Sequence, residues 1–257
     1  SVFISRVKKY LLASLEGIDH SWVASQDDYD VLRHLSSVSI LPNVPFQDQT
    51  DIAPPPDDGK TVVYVASEGH VPNREGALWF LKEVWPLVIA EVPDATFRVV
   101  GIGKWAMTLA PFKDLPGLDV MGFVEDIADG YQGANIAISP INDGGGTKIK
   151  VLEAMSFGLP VVSTPHSLRG FSDGVVQAAI GAGEPSAFAK ALIALLKNPE
   201  QRRAMANRGR IAVDETYSHA AFDRSVHEAV RKLVTSGEGV DDDRKTAARN
   251  THVTLDT

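Results

Sequence analysis

The chain has 257 residues, 44% of them hydrophobic and 23% charged, with a net charge of −8 and no cysteine. That is room for one large or two modest globular domains. It excludes a disulfide framework and a thiolate metal site, and an acidic balance argues against a nucleic-acid binder, which needs a basic face. No apolar run approaches the roughly 20 residues of a membrane-spanning helix, and no signal-peptide pattern is present. The seven histidines form no pair at ligand spacing on a helix, so no metal is expected.

Residues 1–45 do not read as the start of a domain. The spacing of Val7, Leu11, Leu12 and Leu15 predicts a helix over 2–15. A strand follows at 20–25, then a helix to Leu35 that Asp27 or Asp28 could cap, and a strand over 38–41. Residues 46–60 hold three consecutive prolines and four acids without periodicity, which reads as a linker.

From Thr61 the pattern alternates between strand and helix. Strands are predicted at 61–66, 96–100, 118–122, 135–139 and 161–163, with a weaker one at 175–179. Pro72 opens a long helix to about Val92, with Ala77, Leu78, Leu81, Val84, Trp85 and Val88 facing inward. Asp126 caps a short helix to Tyr131. Further helices are predicted over 185–197, from Asn198 to about Val213 and from Ser218 to about Val234. The fold class is α/β: a doubly wound parallel sheet, with its ligand outside the carboxyl ends of the strands. Residues 237–257 are polar, lack apolar spacing and read as a disordered tail.

One stretch carries most of the chemistry. Gly144, Gly145 and Gly146 open it, a helix is predicted from Thr147 to Phe157, and Gly158 and Pro160 end that helix before the 161–163 strand. A glycine loop feeding a helix N-terminus is a ready anion site. Lys148 and Lys150 add positive charge there, either for a phosphate or as a solvated pair. Glu153 sits among Ile149, Val151, Leu152, Ala154 and Met155, so it is expected to be buried and to need a partner. Lys150, three residues earlier, is one candidate; ligand hydroxyls are the other.

Residues Gly144 to Thr164 closely resemble the donor-site motif of retaining glycosyltransferases of the GT-B type, family 4. The resemblance implies a Rossmann-like GT-B fold. It makes residues 1–45 the tail end of an acceptor-binding domain, most of which would lie outside this chain. Residues 46–60 become the interdomain linker, 61–236 the nucleotide-sugar-binding domain and 237–257 a tail. It implies a UDP- or GDP-linked sugar as donor and a glycan or lipid-linked acceptor. No further cofactor, no metal and no nucleic acid is implied. The setting would be cytoplasmic, with membrane association only through the missing domain.

The resemblance also assigns roles. Glu153 contacts the ribose. The family's usual phosphate clamp is not present in that form, so the positive charge at the leaving phosphate is expected from Lys148 or Lys150. The diphosphate lies on Gly144, Gly145, Gly146 and Thr147 near Lys150. The base lies along Gly122, Phe123 and Val124, and Ser67 borders the cleft at the end of the first strand of this domain.

Two departures stand out. The Gly-Arg clamp usual after that first strand is replaced by Ser67-Glu68-Gly69-His70, followed by Pro72-Asn73. Gly145 occupies the position of the first of two carboxylates. These departures keep a non-catalytic binding module open as an alternative; a sugar-nucleotide epimerase would need carboxylates and a histidine at the cleft that the sequence does not place there. A weaker signal, Gly101-x-Gly103-x-x-Ala106, fits a relaxed dinucleotide fingerprint but follows the second strand of the domain rather than the first.

Overall fold

The structure is a computed structural model and describes residues 9–10, 13–15, 18, 20–34, 37–45, 56–231 and 233–234. Most of the predicted 2–15 helix, most of the 46–60 linker and the 237–257 tail lie outside those residues. Near the start, β1 (Ser21–Val23) and β2 (Val38–Ile40) pair in parallel, with α1 (Gln26–Leu32) between them. The cap of α1 is Ser25, not either aspartate. Its backbone is extended and its Oγ accepts from Asp28 N at 3.2 Å. Asp27 and Asp28 occupy the first turn, where the helix dipole favours acids.

The main sheet has six parallel strands: β3 (Thr61–Val65), β4 (Thr96–Val100), β5 (Leu118–Gly122), β6 (Ile136–Ser139), β7 (Val161–Ser163) and β8 (Ile180–Gly181). Their order is β5-β4-β3-β6-β7-β8. Parallel strands are covered on both faces, and their side chains alternate between the two covers. On one face Val62 and Tyr64 pack with Phe97, Val99, Ile136 and Ile138. On the other, Val63 packs with Val100, Ala137 and Val161. From β3 the chain steps outward to β4 and β5, then returns across β3 to β6. That reversal between β3 and β6 is the topological switch point, where such sheets open a crevice.

The first face is covered by α2 (Val71–Trp79), a π-helical turn (Phe80–Val84), α3 (Trp85–Glu91) and, further along, Pro185–Lys197. The predicted inward residues are all buried except Leu78, which is half-buried against the same core. Pro86 explains the π turn. Without an N–H it cannot bond the carbonyl four residues back, and its ring crowds that carbonyl. The turn widens, and Trp85 N donates to Phe80 O instead.

Two short helices follow β4 and β5: α4 (Trp105–Thr108) and α5 (Ile127–Tyr131), the latter capped by Asp126 as expected. The second face is covered by α6 (Ile149–Ser156), α7 (Asp173–Ala178) and α9 (Pro199–Thr216), with α8 being the Pro185–Lys197 helix already described. Asn198 caps α9 through its side chain. A last helix spans 219–231, after Ser218, whose Oγ accepts from Ala221 N.

The predicted strand at 175–179 is helix α7. Val175 and Ala178 are buried three residues apart while Val176 is exposed, a helical rather than an alternating pattern. The strand at that edge is β8.

Phe80 is fully buried, with ring centroids 4.6 Å from Phe97 and 5.9 Å from both Trp85 and Phe188. Phe80→Ala should therefore lower unfolding stability by about 3–5 kcal/mol in urea titrations. Leu78→Ala, on the half-buried flank, should cost clearly less.

Candidate functional site

A cavity of about 560 Å³ opens at the carboxyl ends of β3 and β4. Val65 lines it from the end of β3, Ala66 and Ser67 from the turn after it, Gly101 from the turn after β4, and Glu125 and Ile127 from the turn after β5 and the start of α5. His70 and Asn73 line it from the start of α2, and residues 145, 147–150 and 153 from the glycine loop and α6. The site therefore lies at the switch point that the strand order creates. Gly101 shows how tightly the floor is built. Its φ is +134°, and a Cβ there would stand 2.0 Å from Ala66 O. That close backbone approach accounts for one glycine of the dinucleotide-like fingerprint. The α4 that follows has four residues, too few for the crossover helix that the fingerprint needs.

The glycine loop differs from expectation. α6 begins at Ile149, not Thr147, and Lys148 is its cap residue. Lys148 turns back on the loop, and its Nζ donates to Gly144 O and Gly145 O at 3.1 Å and to Gly146 O at 2.8 Å. Burial, then the nearby Arg169, pulls its pKa below the usual lysine range. Lys148 is thus an organiser of the loop rather than a free phosphate partner. With three carbonyls turned to its ammonium, the loop is held in one shape. Thr147 is also tethered: its Oγ1 accepts from Asn43 Nδ2 at 2.9 Å.

Lys150 points the other way, into the cavity wall. Its Nζ donates to Asn73 Oδ1 at 2.5 Å and lies 5.1 Å from the centre of the Tyr64 ring. Asn73 is fixed in turn: its Nδ2 donates to Ser67 O at 2.9 Å, and its own carbonyl accepts from the Tyr64 hydroxyl at 3.1 Å. Burial, reinforced by Lys148, lowers the Lys150 pKa to about 7, against an opposing pull from Glu153.

Glu153 is 8% exposed and lines the cavity. Burial raises its pKa, and Lys150 partly offsets that. No ion pair joins Lys150 to Glu153 among the described residues, and the Glu153 carboxylate takes no hydrogen bond there. The intrahelical pair weighed from the sequence is not formed. The carboxylate faces a cavity with its acceptor capacity unused.

The remaining assignments divide. Ser67, Gly145, Thr147, Lys148, Lys150 and Glu153 converge on the cavity. Gly144 and Gly146 stand in the loop behind it, both with positive φ. Gly122, Phe123 and Val124 are not in its lining, and Phe123 is 66% exposed; the neighbouring Glu125 and Ile127 line it instead. Arg74 pairs with Glu68 at 3.7 Å. Asn73, His70 and Glu125 are the polar side chains of the lining that sequence reasoning did not assign. Asn73 stands three and four residues before the buried Gly76 and Ala77, on the inward stripe of α2, which is the signal that marks it among the polar residues of that turn.

Over residues 59–198 the sequence matches the family described as glycosyl transferases group 1. The chain belongs to that family. It is 28% identical over 152 residues to an uncharacterized 44.6 kDa protein of the cps region of Klebsiella pneumoniae, covering 56% of this chain and 39% of that protein. It is 27% identical over 187 residues to the phosphatidyl-myo-inositol mannosyltransferase of Mycobacterium leprae, covering 71% and 49%. The chain thus spans less than half the length of these curated relatives. Among solved structures, S. aureus TarM, as a G117R mutant in complex with fondaparinux, alpha-GlcNAc-glycerol and UDP, superimposes with a TM-score of 0.69 at 15% identity, over 87% of this chain and 46% of that one. The fold of this group 1 chain is therefore the GT-B glycosyltransferase fold.

Two outcomes follow for the site. Lys148→Met should lower the backbone NMR order parameters of residues 144–146 from about 0.85 toward about 0.6 or below, because three charge-assisted bonds to their carbonyls are lost. For Lys150, the unfolded chain keeps its proton up to the ordinary lysine value of 10.5, whereas the folded chain releases it near 7. The unfolded state thus binds more protons between those values, and this group's contribution to stability rises with pH across that window. Urea midpoints from pH 6.5 to 9.5 should show that rise in the wild type and a flatter profile in Lys150→Met.

Proposed function

We propose that this chain is the donor-binding half of a retaining glycosyltransferase, taking a UDP- or GDP-linked sugar and passing the sugar to an acceptor hydroxyl held by another lobe. The observation that carries it is Glu153: a buried carboxylate with unused acceptor capacity, facing a cavity at the switch point of a doubly wound sheet. Buried carboxylates need partners, and a pair of ribose hydroxyls supplies donors of the right kind. The UDP bound by TarM supports a nucleoside diphosphate as the ligand class.

In this reading the diphosphate lies between the Lys148-organised loop and Lys150. Negative charge grows on the leaving phosphate as the glycosidic bond breaks. Lys150, held by Asn73, and the free N–H groups at the start of α6 stabilise it there without reorganising. The base runs toward Glu125 and Ile127. A specific observation also favours a second reading, a nucleotide-binding module without transfer: Lys148 is engaged by its own loop and Arg74 by Glu68. Adding the acceptor lobe and assaying transfer separates the two.

The donor reading is tested by calorimetric titration with UDP and GDP. One of them should bind, and Glu153→Gln should weaken it roughly tenfold, the worth of hydrogen bonds to a charged acceptor. Failure of both nucleotides to bind would sink the reading. The pH dependence has a defined sign. Lys150 is largely neutral at pH 8 in the free chain, and a bound diphosphate favours its ammonium form. Binding at pH 8 should therefore take up a proton, visible as a dependence of the heat on buffer ionisation. Affinity should fall as pH rises above about 7, and Lys150→Met should remove both effects.

A further inference from the structure

A second cavity, of about 160 Å³, lies behind the glycine loop. It shares Gly145 and Lys148 with the larger cavity, so the two meet at the loop. Its other wall comes from far away in the chain: Asp27 and Asp28 of α1, with His166 and Arg169 from the turn after β7. These groups are ordered by their own contacts. Arg169 donates to Asp27 Oδ2 at 3.0 Å, Ser25 Oγ donates to Asp28 Oδ2 at 2.6 Å, and His166 Nε2 donates to Gly144 O at 2.8 Å. Each carboxylate keeps its Oδ1 without a partner among the described residues.

The loop itself leaves room. Gly144 and Gly146 need to be glycine for their positive φ, and a Cβ on Gly144 would also press on Pro72 at 3.0 Å. Gly145 has neither constraint: its φ is ordinary, and a Cβ there would meet nothing within 4 Å. Neither backbone nor packing asks for glycine at the one loop residue that borders both cavities, and the space it leaves open is available to a ligand.

The charge pattern selects the ligand class. A phosphate would face Asp27 and Asp28, and a metal cation would face Lys148 and Arg169. A neutral polyol fits both, because each hydroxyl can donate to a carboxylate and accept from a guanidinium. We propose that this cavity is a pyranose subsite in which Asp27 and Asp28 of α1 accept hydrogen bonds from hydroxyls of the donor's sugar. The inference rests on the donor-site reading given above, since the sugar enters across Gly145 from a diphosphate in the larger cavity. It assigns part of donor recognition to residues outside the 59–198 match.

The test is calorimetric titration of the chain with UDP and GDP against UDP-glucose, UDP-N-acetylglucosamine and GDP-mannose. The variants are Asp27→Asn/Asp28→Asn, which keeps shape and an acceptor for Ser25, and Asp28→Asn alone, which keeps the Arg169–Asp27 pair. One sugar nucleotide should bind more tightly than its parent nucleoside diphosphate. The double variant should weaken that sugar nucleotide roughly tenfold while moving the nucleoside diphosphate by less than about twofold, with the single variant in between. Equal losses for both ligands, or no loss for either, overturn the subsite while leaving the donor site standing. Wild-type chain that binds none of the five overturns the donor-site reading and the subsite with it. A methyl glucoside that binds the UDP-saturated chain through Asp27 and Asp28, with sugar-nucleotide affinity unchanged in the variants, gives the cavity to an acceptor and also overturns the proposal.

Discussion

Withdrawing an ionised side chain from water costs several kcal/mol unless partners replace the lost hydration. The segment from Lys148 to Glu153 brings three such groups inward within six residues, and each is handled differently. Lys148 turns three backbone carbonyls toward itself. Lys150 recruits one amide oxygen and the face of Tyr64. Glu153 takes no hydrogen bond or ion pair among the described residues. The first arrangement sets the shape of the loop and the second places Asn73 and the start of α2. The third leaves an acceptor facing the cavity. The position of the cavity follows from strand order, but its chemistry follows from this uneven treatment of three charges.

The sheet was legible because its strands are short, apolar and repeat with helices between them, so that burial on both faces could be inferred from residues such as Val62, Val63 and Tyr64. The candidate site was legible at Glu153 for the opposite reason: a lone carboxylate in an apolar helix contradicts its surroundings. What stayed hidden depended on side-chain direction or on distant partners. Nothing local says that Lys148 folds back on its loop instead of reaching outward. Asn73 matters because of Lys150, 77 residues later. The strand misread at 175–179 is a case of two adjacent valines outweighing the spacing of Val175 and Ala178. The turn after β5 was placed correctly, but Glu125 and Ile127 line the cavity in place of Gly122, Phe123 and Val124.

The N-terminal segment is tied to the loop at two points, Asn43 on Thr147 and Arg169 on Asp27, although more than a hundred residues separate the members of each pair. Both Thr147 and Arg169 flank the shared loop. Whatever the glycine loop holds, its outer wall is made by chain that precedes the Rossmann-like unit, which explains why a reading confined to the glycine motif captures only one side of the site.

The π turn before Pro86 has a geometric result of its own. In a regular α-helix, residues five apart are separated by about 500° of rotation, about 140° away from alignment. Phe80 and Trp85 are five apart, yet both are fully buried and their rings lie 5.9 Å from each other. The wide turn behaves like a single inserted residue that resets the phase of the helix. Upstream of it the helix presents Asn73 to the cavity; downstream it presents Trp85 and Val88 to the core. Ala77 and Phe80, upstream, face that same core, so shortening the 80–84 segment by one residue would rotate Trp85 and Val88 about 100° away from it.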